Sequence, residues 1–348
     1  MIMSVKFWVE GVGIPLVSSF GLLGNLISIL IFQNRSQGLD LNPNFSQLLI
    51  CLAVFDSLFL VFVNSIFSVS ALMLPEQSYI QMQATPYLIP LASMALTGSV
   101  YSVLAITVER YISLNHINQR LWNGKFYICI IVLFSVTFNL VKFFELTLEI
   151  IDDPIYHEEL DISENVMEEE ENVPEYELKA TWLRTHPIYY LSYYLIGNFL
   201  FMNLLPMVVL LVLNYSIYRT FTRLSQIQES TTTCQTGNLT MAGLLFSIVI
   251  VFICCHSPKL ALNVFEGAQM IYFGSLVYWP EWANNLTYIN HLMLVINSSI
   301  NILIYAAKDA KFRRTLISIL RCKKKEETLT DISLNNIYIS EITNEDEV

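Results

Sequence analysis

Hydrophobic residues run along this chain in blocks of twenty or more, each closed by polar or charged residues, and block length rather than alternation predicts the fold. A helix needs about 20 apolar residues to cross a bilayer. Seven stretches meet that test, at about 9–33, 44–73, 86–112, 126–148, 187–218, 239–265 and 284–306. The pattern predicts an all-α membrane protein: a seven-transmembrane helix bundle over 9–306, with a short extracellular segment at 1–8. An amphipathic cytoplasmic eighth helix at 307–321 and a disordered cytoplasmic tail at 322–348 complete it. The first block lacks a basic leader and is of full spanning length, so it is expected to act as a signal anchor rather than be cleaved.

Composition agrees, since 54% of the 348 residues are hydrophobic and only 14% are charged. Orientation follows from Lys and Arg, which collect in cytoplasmic loops. Arg35, Arg110, Arg120, Lys125, Arg219, Arg223 and the basic residues from Lys308 to Lys325 all fall on one side, which is therefore cytoplasmic. The six cysteines lie in predicted spans or cytoplasmic segments, so no extracellular disulfide framework is expected. Residues 146–186 form the longest loop, and fourteen acidic residues stand between Glu145 and Glu177, including the run Glu168 to Glu171. Like charges at that density repel one another, which predicts a largely disordered loop.

Polar residues inside the blocks carry the candidate chemistry. Asp56 lies near the middle of the second block, and an ionisable group at that depth is a functional hypothesis. Ser99, Asn297, Ser298 and Asn301, with Asn25 nearby, sit at matching depths; together with Asp56 they could hold a sodium ion, because a small hard cation takes several oxygen ligands. A protonated Asp56 is the alternative. Arg110 closes the third block beside Glu109 and Tyr111, where mid-bilayer charge, costing roughly 3 kcal/mol, is avoided. A simpler role, snorkelling to lipid headgroups, is open to it.

Nearer the other face, Lys142 and Glu145 stand three residues apart on one helix face, where they can pair. Lys259 can instead pair with Glu145 or Glu266. Ala92, Leu96, Lys142, Glu145, His256, Lys259, Asn263, Glu266 and His291 are expected to line a pocket in the outer half. Pro206 bends the fifth block, and His256 with Pro258 interrupts the sixth as a candidate pivot. After Tyr305 the chain is basic on one face, with Phe312, Leu316, Ile319 and Leu320 on the other, as in a helix lying on an anionic leaflet. No phosphate loop, metal-ligand spacing or catalytic triad is present, so no enzyme is expected.

Taken in order, Gly24-Asn25, Leu52-Ala53-Val54-Phe55-Asp56, Glu109-Arg110-Tyr111, Pro206, Phe252 with His256-Ser257-Pro258, and Asn301-Ile302-Leu303-Ile304-Tyr305 resemble a rhodopsin-like G-protein-coupled receptor. The segments FNLVKFFE and CHSPKLALNVFE look like those of invertebrate FMRFamide-type and myosuppressin-type peptide receptors. The resemblance implies an extracellular peptide ligand, coupling to heterotrimeric G proteins, and arrestin and a receptor kinase acting at the C-terminal tail. It also implies plasma-membrane residence, no nucleic-acid partner and no cofactor besides the candidate sodium ion; Cys322, at the end of the amphipathic helix, could be palmitoylated or stay a plain reduced thiol. Arg110 would be the G-protein-facing switch, held at rest by Glu109, with Tyr111, Pro206, Phe252, His256, Pro258, Asn301 and Tyr305 in the same relay.

This chain departs from the family in several places. His256 stands where Trp is usual, Ile302 where Pro is usual and Asn214 where a Tyr is common. Thr85 occupies the place of a cysteine that normally ties the third helix to the acidic loop, and no acidic partner for Arg110 is found near Asn238. Ala92 at the amine-binding position argues against an amine ligand, and the absence of a lysine from 284–306 argues against a light receptor. A chemosensory receptor for a small molecule remains the alternative. A transporter with Asp56, His256 and Lys259 on its pathway would be expected to show paired repeats, which are missing.

Overall fold

The structure, a computed structural model, describes residues 5–33, 42–68, 75–115, 123–151, 175–227, 232–273 and 279–320. Six helical stretches are long and apolar enough to cross a membrane: Phe7–Gln33, Pro43–Ser68, Ile80–Leu114, Gly124–Phe144, Pro187–Thr220 and Phe246–Gln269. Glu281–Ser299 and Asn301–Lys308, bent by 43°, form the seventh. These are the first to seventh spans, and they make the multi-pass bundle that block length predicted. Leu16, Leu23, Leu133 and Val212 are each more than half exposed on its outside, as suits lipid. Asp56, Ser99, Thr97 and Ser298 are buried inside.

Two glycines bring the first span against the seventh. A Cβ on Gly21 would lie 2.6 Å from Ser299 Cβ and 2.7 Å from Leu60 Cδ1, and one on Gly24 would lie 2.7 Å from Ile302 Cγ2. Neither position has room for even a methyl group. Across this contact Ser299 Oγ bonds the Val17 carbonyl at 3.1 Å and the Val295 carbonyl of its own helix at 2.7 Å. A serine hydroxyl back-bonded four residues up its own helix favours bending. The seventh span therefore bends at Ile300 with Ile302 in place of proline.

The fifth span opens in π-helical turns, Tyr190–Gly197 and Phe199–Leu204. In such turns the amide five residues on serves each carbonyl. Pro206 has no amide to give Phe201, and the Tyr101 hydroxyl donates to that carbonyl instead at 3.0 Å. The proline thereby becomes a tie between the third and fifth spans.

The acidic loop is not unstructured throughout. β1 (Leu146–Ile151) and β2 (Glu175–Ala180) form an antiparallel pair in the register Leu146↔Ala180 to Ile151↔Glu175. The strand is legible in the alternation of Leu146, Leu148 and Ile150, which the charge density obscured. Glu149 faces Glu177 across the pair, and Lys179 relieves this by bonding Glu149 at 2.8 Å. Residues 152–174, with the Glu168–Glu171 run, lie outside the described residues, as do Arg35, Arg120, Cys322 and the tail.

Several expected edges move. The first span starts at Phe7 rather than 9, and the fourth stops at Phe144 because a 3-10 turn, Leu140–Phe144, hands the chain to the hairpin. The eighth helix runs Ala310–Leu320 rather than from 307, because Asp309 caps it, its Oδ1 accepting from the amides of Lys311 at 2.8 Å and Phe312 at 3.2 Å. Its apolar face is not wholly lipid-facing. Phe312 is buried against Phe32 and Tyr305, with ring centroids 5.6 and 5.5 Å away.

Candidate functional site

The expected functional residues fall at three depths, beginning at the end of the bundle that carries Arg110. The expected Glu109–Arg110 ion pair is absent. The Glu109 carboxylate faces instead the amides of Asn42, at 3.5 Å, and Asn44. Arg110 lies over the Phe45 ring, its guanidinium carbon 4.0 Å from the centroid, and its buried Nε has no partner. Both consequences come from the start of the second span, where Asn42 caps the helix by accepting from the Asn44 amide and Pro43 fills its first position. That cap places two amides beside one charge and an aromatic face beside the other. Neither Phe45 nor Asn42 was singled out in the sequence, where nothing marks them as partners of the third span.

In the middle, Asp56 is fully buried and accepts from Ser99 Oγ at 2.6 Å and Asn301 Nδ2 at 2.7 Å. The Ser298 hydroxyl borders the same carboxylate. Asn25 joins the group by donating to the Ser298 carbonyl at 3.1 Å. Asn297 is buried but bonds none of them. One carboxylate, two hydroxyls and the carbonyl oxygen of an amide are the hard donors that a small cation takes.

On the sixth span, His256 is buried and stacked on Phe252 with ring centroids 4.1 Å apart. Neither of its ring nitrogens has a hydrogen-bond partner. The neighbouring carbonyl that would satisfy a purely structural histidine is therefore not supplied. Pro258 follows within the unbroken helix Thr232–Phe273.

At the hairpin end the single expected pocket divides into two parts. Ala92, Leu96 and His291 line an apolar cavity of about 150 Å³ with Phe59, Phe67 and Leu294. His291 stacks on Phe67 with ring centroids 4.2 Å apart and meets the buried Glu10 at 3.1 Å. Nothing in the sequence marks Glu10 or Phe67 as a partner of His291.

The second part is charged and lies between the fourth and sixth spans and the hairpin. The expected Lys142–Glu145 pair does not form. Glu145 stands past the helix end, where Tyr189 Oη donates to it at 2.7 Å and Arg184 approaches to 3.7 Å. Lys259 pairs with neither Glu145 nor Glu266 as an ion pair, although Glu266 is the carboxylate that acts on it. Asn263 completes the group, with a buried amide nitrogen that has no partner.

Glu145 anchors the start of the hairpin. Its backbone carbonyl accepts from the Thr181 amide at 2.9 Å, the Thr181 hydroxyl bonds the Phe144 carbonyl at 2.6 Å, and its carboxylate holds Arg184 and Tyr189. The hairpin is thus fastened to the fourth and fifth spans. Thr85, at the expected cysteine position, only bonds the Gln81 carbonyl at 2.7 Å, and the described cysteines, Cys51, Cys129, Cys254 and Cys255, are all free.

Residues 24–305 match the sequence profile of the 7 transmembrane receptor (rhodopsin family). The chain is similar to the FMRFamide receptor of Drosophila melanogaster, 26% identical over 326 residues that cover 90% of this chain and 54% of that one. It is similar also to the FMRFamide peptide receptor frpr-18 of Caenorhabditis elegans, 25% identical over 86% of this chain and 66% of the relative. A third relative, the probable G-protein coupled receptor frpr-1 of the same organism, is 26% identical over 94% of this chain and 83% of its own. The chain thus spans about half the length of the first relative and about two thirds of the second.

Proposed function

Because the chain belongs to the rhodopsin family of seven-transmembrane receptors, we propose that it binds a short extracellular peptide ending in Arg-Phe-amide and activates heterotrimeric G proteins from its other end. The observation that carries this reading is the likeness, along 90% of the chain, to a receptor named for FMRFamide. The hairpin end suits such a ligand chemically. An apolar cavity of about 150 Å³ is of the size that admits a benzene ring, and Glu266, free of any ion pair, offers a carboxylate for the arginine.

In this reading the N-terminus is extracellular, the plasma membrane is the site of action, and Arg110 is the group that meets the G protein. Ligand binding shifts the bundle between two packings by its differential affinity for them. Asp56, Ser99, Ser298 and Asn301, with Asn297 nearby, would hold a sodium ion that favours one packing, and the oxygen-rich set gathered round the buried carboxylate supports that fit. Arrestin and a receptor kinase would act on the tail, with Cys322 as a lipid anchor.

The test is expression in cultured cells with exposure to Phe-Met-Arg-Phe-amide and a library of amidated peptides, read by calcium and cAMP. Potency at or below about micromolar is expected for the best peptide. Silence toward every amidated peptide at verified surface expression would overturn the reading.

A further inference from the structure

Glu10 stands in the π-helical turns that open the first span, Phe7–Gly13, and it is buried. A carboxylate taken out of water needs a partner. Among the described residues its only hydrogen-bond partner is His291 of the seventh span, whose Nδ1 lies 3.1 Å from Glu10 Oε1. Facing a carboxylate, Nδ1 carries the proton, and the neutral ring then presents Nε2 as an acceptor. That second nitrogen has no hydrogen-bond partner among the described residues. Phe67, stacked on the imidazole at 4.2 Å with the planes 23° apart, fixes the ring's orientation. The same imidazole is part of the wall of the 150 Å³ cavity between the second, third and seventh spans, where the other lining side chains are apolar except Ser93. No lysine or arginine lines it. Such a cavity accepts an apolar ring that carries a neutral N–H donor beside it. It disfavours one that carries an anion, because two carboxylates in a low-dielectric region repel each other.

We propose that Glu10 and His291 form the subsite that reads the terminal carboxamide of the peptide, with the ring of its last residue in the cavity beside them. The inference rests on the peptide-receptor reading above and deepens it, by assigning the residues that tell an amidated end from a free acid. A carboxamide N–H donates to His291 Nε2. Glu10 acts through His291: it holds the tautomer that leaves Nε2 free to accept, and it sets a negative charge behind the ring. A terminal carboxylate brings no donor, meets that charge and finds no lysine or arginine in the cavity wall. Selectivity of this kind comes as much from the repulsion of the wrong end as from the bond to the right one.

The probes are Phe-Met-Arg-Phe-amide, its free acid, and Phe-Met-Arg-phenethylamide, which keeps the last ring and lacks the carboxamide. Binding is measured on intact receptor in membranes, for wild type, Glu10→Gln and His291→Phe. Wild type should bind the amide about 10-fold or more tighter than the phenethylamide, and the acid about 10-fold or more weaker still. In His291→Phe the advantage of the amide over the phenethylamide should fall below about threefold, because the acceptor is gone while a ring still packs on Phe67. In Glu10→Gln that advantage should persist, since the glutamine oxygen still accepts from Nδ1, whereas the acid should come within about threefold of the phenethylamide because the charge is lost. Wild type that binds the amide and the acid equally, or ratios that stay at wild-type values in both variants, would sink the subsite and leave the peptide-receptor reading standing. A receptor that binds none of the three probes loses that reading, and the subsite with it. Photolabelling of wild type needs no variant to fold: 4-azidophenylalanine-amide in the last position should mark 59–67, 89–96 or 291–294, the segments that line the cavity. A label found only elsewhere would also overturn the subsite.

Discussion

Asn301 donates to Asp56 across 2.7 Å, joining residues 245 positions apart and fastening the seventh span to the second at the point beside its bend. A buried carboxylate so placed must be protonated, bonded or matched by a cation. Replacing Asp56 by Asn keeps the shape and removes the charge. The expected result is a receptor that binds agonist at matched surface expression but whose affinity no longer changes when sodium is replaced by a large organic cation. Equal sodium sensitivity in wild type and Asp56→Asn would show that the cation acts elsewhere.

Arg110 rests on Phe45 rather than on Glu109, so the aromatic ring is the restraint to remove. A cation over an aromatic face is worth about 0.5–2 kcal/mol. Phe45→Leu keeps apolar volume but not the ring, and should raise ligand-free signalling several-fold. Arg110→Ala should abolish ligand-evoked signalling while leaving peptide binding measurable. Unchanged basal activity in Phe45→Leu would mean that the stacking restrains nothing.

Gly21 has no space for a side chain against Ser299 and Leu60. Overpacking of this kind costs about 1–3 kcal/mol. Gly21→Ala should lower the melting temperature of detergent-solubilised receptor by several degrees, whereas Gly243→Ala, where a Cβ meets nothing within 4 Å, should leave it unchanged.

The hairpin is fastened through Glu145, and the hydroxyl of Tyr189 is the part of that fastening that can be removed with least other change. Tyr189→Phe should speed hydrogen exchange of the β2 amides, Glu175–Ala180, and quicken peptide dissociation by a few-fold. Glu145→Gln, which loses Arg184 as well, should do more of both. A hairpin whose exchange is unchanged in both variants would be held by its backbone bonds alone.

Seven crossings were legible because block length is a one-dimensional property, and the Asp56 group was legible because polar residues at matched depth in apolar blocks have few places to go. The partners of Arg110 and Glu145 were not. Phe45, Asn42 and Tyr189 are ordinary in sequence, and only the approach of one span to another turns them into a stacking face, an amide pair and a carboxylate anchor. Charge density masked the alternation in β1, a reminder that the two signals coexist in one segment.

The acidic stretch connects β1 to β2, whose facing ends Ile151 and Glu175 are paired across the sheet. Fourteen acids counted from Glu145 to Glu177 should create a negative potential felt by an approaching ligand. A peptide with net positive charge is drawn toward such a potential, and steering of this kind raises association rates by about 10-fold or more at low salt. Screening separates steering from contact, because exposed charges lose their reach beyond a Debye length of about 8 Å at physiological ionic strength. Neutralising Glu168 to Glu171 together with Asp152, Asp153, Glu158 and Glu159 should slow association of a basic amidated peptide and flatten its dependence on salt. Dissociation should stay nearly constant, since the apolar cavity is untouched. Association rates that match wild type from low to high salt would reduce the stretch to a spacer between two strands.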